Sequence, residues 1–348
     1  MAERVLLHAG TPKSGTTFLQ SLLWANRDRL GDSGVLLPGE RAFDHNRLGA
    51  ALRTWRPDAR RQRNRRFWDQ FVDAAAAWPG TVVLSNEWIV RADAEQLRHA
   101  VTALAPAKVD VVLTARDAVA QVPAAWQESL KVGNSTSLGD FLAAMDTEGG
   151  QWTWRHLDAA HVLAQWAEVL PAGSCSVVTL PPSGSHPAVL WSRFADVLGV
   201  DPAGYDIAGV VANRSLGAEA AALLQQIGPA LRAAVDADSG GWMEQYRWIR
   251  QYVGHELLLA LPGHPIGLRT TDVAALRTRA QQTVTRLAEG GYHVSGELSD
   301  LSSATVPPDA VHPDDVTDSD KLAVAVALLP RLLARVRTEN LAGSASQG

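Results

Sequence analysis

Short aliphatic runs alternate, over the first two thirds of the chain, with segments whose apolar positions recur every three or four residues. The runs are RVLLHA at 4–9, GVLLP around Val35, TVVLS around Val83, VDVVLTA around Val112 and CSVVTL around Val178. They are short, rich in Val and Leu, and unbroken by polar positions, as strands buried on both faces are. Helical periodicity is predicted at 93–104, 117–131 and 158–170. A helix also follows the first run, with Phe18, Leu19, Leu22 and Leu23 on one face. Strand and helix in alternation predict an α/β fold: a three-layer, P-loop-like parallel β-sheet with helices on both faces.

From about Ser215 the pattern changes. Alanine- and leucine-rich helical text takes over, with no convincing alternation of strand and helix. Residues 287–320 carry no lysine or arginine, several acidic residues and Pro307, Pro308 and Pro313, which predicts an exposed loop. An amphipathic helix is expected over 319–339. The expected organisation is a single domain over 1–348. It has an α/β core at 1–215, a mainly helical C-terminal portion at 216–340 and a disordered tail at 341–348.

Composition narrows the possibilities. The chain has 348 residues, 46% of them apolar, enough for a sizeable core without disulfides. One cysteine, Cys175, excludes a disulfide framework and a cysteine-based zinc site. A net charge of −5 argues against a dedicated nucleic-acid binder. No apolar stretch reaches the length of a membrane span, and the N-terminus does not read as a secretory signal. The expected setting is cytoplasmic.

The sharpest chemical signal is Gly10-Thr-Pro-Lys13-Ser14-Gly15-Thr16-Thr17, between the first strand and its helix. There, backbone N–H groups and a helix N-terminus form an anion cradle. An NTPase P-loop reads GxxxxGK[ST], but Thr16 occupies the lysine slot and Lys13 lies three residues earlier. Lysine is scarce, occurring only at Lys13, Lys108, Lys131 and Lys321 among 32 basic residues. A lysine kept against that bias suits a point-charge role.

The string PKSGTT resembles the 5′-phosphosulfate loop of the sulfotransferases that use 3′-phosphoadenosine 5′-phosphosulfate (PAPS). The resemblance extends over roughly residues 4–217. The segment VVLTARDAVAQVPAAWQESLK is similar to the family's strand and helix carrying the 3′-phosphate site. The resemblance implies PAPS as co-substrate, held by Lys13, Ser14, Gly15, Thr16, Thr17 and Arg116. Arg214, in ANRSLG, is either a further 3′-phosphate ligand or a surface charge. The family commonly has a serine eight residues after the arginine, and here that position is Ala124. Gln121, Gln127 and Ser129 are alternatives. Sulfuryl transfer to a hydroxyl also needs a base. Glu87, just past the TVVLS run, is the leading candidate for that catalytic role beside Lys13, and His8 is its competitor.

His156 and His161, five residues apart, lie about 140° from one another on a helix, so no metal site is expected. Residues 53–66 hold seven arginines, read mainly as a solvated helix. Trp88, Trp126, Trp152 and Trp154 are either cleft or core residues. The acceptor is a hydroxyl on a small molecule, glycan or lipid. Nucleic acid is not expected as a partner, nor is a membrane span. The competing readings are a P-loop kinase or nucleotide hydrolase, and a non-catalytic nucleotide-binding relative.

Overall fold

A computed structural model describes the chain except residues 57–63, 148–149, 151, 172, 208–214, 237–240 and 346–348. Its sheet has six strands, β1 (Arg4–Gly10), β2 (Val35–Leu36), β3 (Thr81–Ser85), β4 (Lys108–Ala115), β5 (Cys175–Thr179) and β6 (His293–Ser295). They lie in the order β2–β3–β1–β4–β5–β6, and every adjacent pair is parallel. The α-helices of nine residues or more, among the described residues, are α1 (Thr16–Ala25), α2 (Ala42–Thr54), α3 (Arg65–Ala77), α4 (Ala94–Leu104), α5 (Ala118–Leu130), α6 (Ala159–Ala167), α7 (Pro187–Leu198), α8 (Ala218–Asp236), α9 (Thr270–Glu289) and α10 (Asp318–Ala345).

The aliphatic runs become strands because both faces are covered. Successive strand residues point to opposite faces. Val5, Leu7, Leu84, Val111, Leu113 and Val177 pack with Leu97, Leu163 and Trp166 from α4 and α6. Leu6, Val83, Val112 and Val178 pack with Leu19, Leu22, Trp191 and Phe194 from α1 and α7. Each fully buried Leu or Val contributes about 1.5–3 kcal/mol before entropy is counted. The three-layer α/β expectation is met. Asp93 and Asp158 cap α4 and α6 through side-chain acceptance of backbone N–H groups. That is why the helices begin where the acidic residues stand.

The chain divides into two compact units. The first comprises Met1–Gln121, Gln151–Asn213 and Ala275–Ala304. It holds the sheet. The second comprises Val122–Gly150, Arg214–Ala274 and Thr305–Gly348. It is helical, with α8, α10 and a π-helical stretch at Gln245–Leu258. Within it, buried Glu128 pairs with Lys131 (2.9 Å) and with Arg250. The side chain of Trp126 is buried and donates to the Thr136 carbonyl (2.9 Å).

Two expectations are corrected. The segment 287–320 is not all loop, since β6 pairs with β5 through Ser176–His293, Val177–Val294 and Val178–Ser295. Three residues are too few to show a period, and tertiary contacts hold them. Arg193 Nη1 donates to Asp300 Oδ2 (2.6 Å), to the Thr179 carbonyl (2.8 Å) and to Thr179 Oγ1 (2.9 Å). Ser295 Oγ donates to the Arg193 carbonyl (2.9 Å). The last helix also continues to Ala345, through most of the expected tail.

The Arg193–Asp300 pair is largely buried, so removing one partner strands the other's charge. Asp300→Ala is expected to destabilise the fold by about 2–3 kcal/mol, read as a lower urea midpoint with unchanged slope. A midpoint equal to wild type would show that β6 docks without this pair.

Candidate functional site

Strand order determines where chemistry can gather. β1 lies between β3 and β4. The chain builds β2 and β3 on one side of β1, then crosses to β4 on the other. In such sheets the crevice beyond the carboxyl ends at this reversal is the ligand site. Three neighbouring strand ends meet there: Glu87 follows β3, the glycine loop follows β1 and Arg116 follows β4.

The loop is tied down from beneath. Thr11 N–H donates to the Thr114 carbonyl (2.9 Å), and Ser14 N–H to the Thr11 carbonyl (3.1 Å). The buried hydroxyls of Ser14 and Thr114 share a hydrogen bond (2.7 Å). Gln121 Nε2 donates to the Pro12 carbonyl (2.7 Å), and Arg116 Nη1 to the Lys13 carbonyl (3.2 Å). A Cβ on Gly10 would lie 2.1 Å from Thr16 Cγ2 and 2.4 Å from Thr114 Oγ1, so only glycine fits. Gly15 has φ 88° and Lys13 has φ 68°. A left-handed lysine is uncommon and strained, as residues at ligand clamps often are. The N-cap of α1, Gly15, makes no side-chain capping bond, and the first turn carries no acidic residue. The positive end of the helix thus faces the crevice without a cap. Thr17 is exposed, whereas Thr16 is buried.

Thr16 is the link to the next strand. Its Oγ1 donates to Glu87 Oε2 (3.1 Å). Asn86 fixes the turn that presents Glu87: its Oδ1 accepts Trp88 N–H (3.1 Å) and its Nδ2 donates to Asn46 Oδ1 (2.7 Å). The loop and Glu87 are therefore one hydrogen-bonded group. His8 is placed differently. It is fully buried, its Nδ1 is bonded to Ser85 Oγ (2.7 Å) and its ring lies 4.7 Å from that of Phe194. Its Nε2 has no hydrogen-bond partner among the described residues. Burial, with His45 nearby, pushes its pKa down to about 3. His45 is likewise buried, at about 4, and accepts Ser85 N–H at Nδ1 (3.1 Å).

Arg116 lies at a small cavity of about 20 Å³, lined also by Gln121, Trp154, Asp158, Arg279 and Thr283. That space is about one water's. Burial lowers the Arg116 pKa, opposed by the adjacent Asp117 carboxylate. Arg279 lies over the Trp154 ring, 4.3 Å from its centroid. Asp158 accepts Thr283 Oγ1 (3.2 Å) and pairs with Arg286. Sequence reasoning missed Arg279. It sits in α9, which carries no motif, and only the fold brings it to Trp154 and Arg116.

Of the alternatives to a serine at 124, Gln121 touches the loop. Gln127 Oε1 accepts Leu216 N–H (2.8 Å), and Ser129 Oγ donates to the Trp126 carbonyl (2.7 Å). Arg214 lies outside the described residues, as does 57–63 of the arginine-rich segment. Within the described part of that segment, burial and Arg91 lower the Arg53 pKa to about 10. Trp55 stacks on His99 at 4.1 Å. Trp88 and Trp152 meet edge to face at 5.9 Å. Among the described residues, no cluster of three or more His, Cys, Asp or Glu could hold a metal ion. Nor, among them, is any helix long and apolar enough to cross a membrane.

No protein-family profile matches the chain, and no curated protein matches it. Among solved structures it is similar to one titled a sulfotransferase from Alicyclobacillus acidocaldarius. Identity is 12%, coverage is 66% of this chain and 94% of that one, and the TM-score is 0.38.

The buried histidines generate a pH prediction. In the folded protein His8 titrates near 3 and His45 near 4, against 6.5 for a free histidine. As pH falls below about 6.5, the unfolded chain binds protons that these two refuse, so stability falls with pH. His8→Asn should flatten that dependence by about 1.4 kcal/mol per pH unit between about pH 6 and pH 4.5. Urea unfolding at stepped pH measures it. An unchanged slope would mean that His8 takes up its proton within the fold.

Proposed function

We propose that this protein is a PAPS-dependent sulfotransferase acting on a hydroxyl acceptor. The observation that carries the reading is the Thr16–Glu87 hydrogen bond, which sets a carboxylate beside an anion-binding loop whose lysine is on the crown rather than at the helix start. A transfer to a hydroxyl needs these two elements side by side: positive charge for the leaving phosphate and a base for the acceptor proton.

The residues present fit such a donor. Lys13, the backbone of 14–17 and the uncapped start of α1 would hold its 5′-phosphosulfate. Arg116 would take the 3′-phosphate, since a guanidinium fork donates two hydrogen bonds to one phosphate. Arg279, which lines the same cavity as Arg116, would be a second cation on that side. When bound, PAPS supplies an activated sulfuryl group. Glu87 accepts the acceptor's hydroxyl proton at a carboxylate oxygen, and Thr16 orients that carboxylate. Lys13 neutralises charge as it grows on the 5′-phosphate side, a role for a compact ammonium. His8, buried and held by Ser85, serves packing in this reading, and Glu87 is the base.

A second reading draws on the same contact. A carboxylate beside a P-loop hydroxyl is also how Mg²⁺ is held for phosphoryl transfer. That chemistry uses the hydroxyl at the Thr17 position and a lysine at the Thr16 position. Here Glu87 touches Thr16, and the lysine slot is filled by threonine. Sulfuryl transfer is therefore preferred. Turnover with PAPS that survives EDTA supports it, and turnover only with ATP and Mg²⁺ would replace it.

Two outcomes are expected. Glu87→Gln should keep affinity for adenosine 3′,5′-bisphosphate while turnover with PAPS and a panel of phenols, alcohols and glycans falls about 10²- to 10⁴-fold. Undiminished turnover would remove Glu87 from the base role. Arg116→Ala should weaken adenosine 3′,5′-bisphosphate by about 10- to 100-fold and adenosine 5′-phosphate far less, by calorimetry. Equal losses would show that Arg116 acts on the loop alone.

A further inference from the structure

One guanidinium in the first unit has a buried nitrogen, Arg53 Nε, with no hydrogen-bond partner among the described residues. Asn46, Gly49 and Arg53 share a face of α2, at the i, i+3 and i+7 positions. Asn46 bonds Asn86, and a Cβ on Gly49 would lie 2.6 Å from Asn86 Oδ1. That face therefore lies against the turn after β3, and it carries Arg53 toward the 3₁₀-helix Glu87–Arg91. The Arg53 backbone is fixed there, since Gln96 Nε2 donates to its carbonyl (2.5 Å).

The charges on neighbouring elements do not answer it. Asp93 caps α4 and pairs with Arg56 (3.3 Å), and Glu87 accepts Thr16 Oγ1. Beyond burial itself, the charged group that acts on Arg53 is another cation, Arg91. Burial, Arg91 and Arg155 together hold His156 neutral, with a pKa of about 4. A guanidinium withdrawn from water beside a like charge costs free energy unless an anion joins it. An apolar side chain of similar length would fill the space without that cost.

The same 3₁₀-helix says what the anion is attached to. Glu87, the proposed base, begins it and Arg91 ends it, about 8 Å apart along the axis. Trp88, next to Glu87, lies under the Arg91 guanidinium (5.4 Å to the ring centroid) and meets Trp152 edge to face. One substituted ring spans such a gap. Its hydroxyl end would face Glu87, its body would lie against indole, and its anionic end would meet a guanidinium fork.

We propose that Arg53 and Arg91 form an oxyanion subsite on the acceptor side of Glu87, and that the acceptor is a small hydroxyl compound carrying a carboxylate or sulfonate-like group about one ring away. The role of acceptor rests on the sulfotransferase reading, whereas the anion subsite does not.

Calorimetry on the full chain tests the subsite without turnover, using two matched pairs. These are 4-hydroxyphenylacetate against 4-hydroxyphenylacetamide, and 4-hydroxybenzenesulfonate against 4-hydroxybenzenesulfonamide. At about pH 7 at least one acid should bind about 10- to 100-fold more tightly than its amide. Arg53→Met keeps the apolar stem and removes the charge. It should remove that preference and leave the urea midpoint at or above that of wild type. Acids that bind no better than their amides would overturn the proposal, as would a preference that survives Arg53→Met. A lower midpoint in Arg53→Met would also overturn it, by giving the guanidinium a structural role. Turnover with PAPS separates the two readings. If the binding preference holds and none of the four hydroxyls is sulfated, the subsite stands and the transfer reading falls. If PAPS sulfates acid and amide equally well, the transfer reading stands and the subsite falls.

Discussion

Everything at this site follows from β1 having no wet face. Its neighbours β3 and β4 take both edges, and helices cover both faces, so Val5, Leu6, Leu7, His8 and Ala9 have no solvent exposure. A charged group placed there would be removed from water without recompense. The one polar side chain that β1 carries in this stretch is kept neutral by burial and held by Ser85. Chemistry is displaced to the point where the strand ends and backbone N–H groups lose their ladder partners. The loop, Glu87 and Arg116 stand at three adjacent strand ends, while the charge that β4 does bury, Asp110, is paired with Arg4 (2.7 Å).

The parts of this architecture that could be read beforehand are those dominated by local burial. Strands buried on both faces announce themselves as unbroken aliphatic runs, and α4 and α6 begin at capping aspartates. The loop could be read because its glycines answer steric demands, as Gly10 does between Thr16 and Thr114. Glu87 was legible as a strand-end carboxylate, though its hydrogen bond to Thr16 was not.

What escaped depends on residues distant in sequence. β6 exists because β5 offers an edge and Arg193 ties Asp300 to Thr179. Nothing in His-Val-Ser foretells this. Arg279 gains meaning only when α9 brings it over Trp154. The arginine after β4 was legible, but its bond to the Lys13 carbonyl was not, since 103 residues separate the partners. Periodicity reports burial of an element's face, whereas these contacts report which elements meet.

That last bond makes Arg116 part of two structures. One end of its fork braces the crown of the loop, and the guanidinium also lines the cavity shared with Arg279. An anion beside Arg116 that engaged only its other guanidinium nitrogens would leave this brace in place, whereas one that took Nη1 would release the Lys13 carbonyl. In the second case the anion and the conformation of the loop would be coupled, and by thermodynamic reciprocity an anion seated in the loop would change affinity beside Arg116 by the same factor as the reverse.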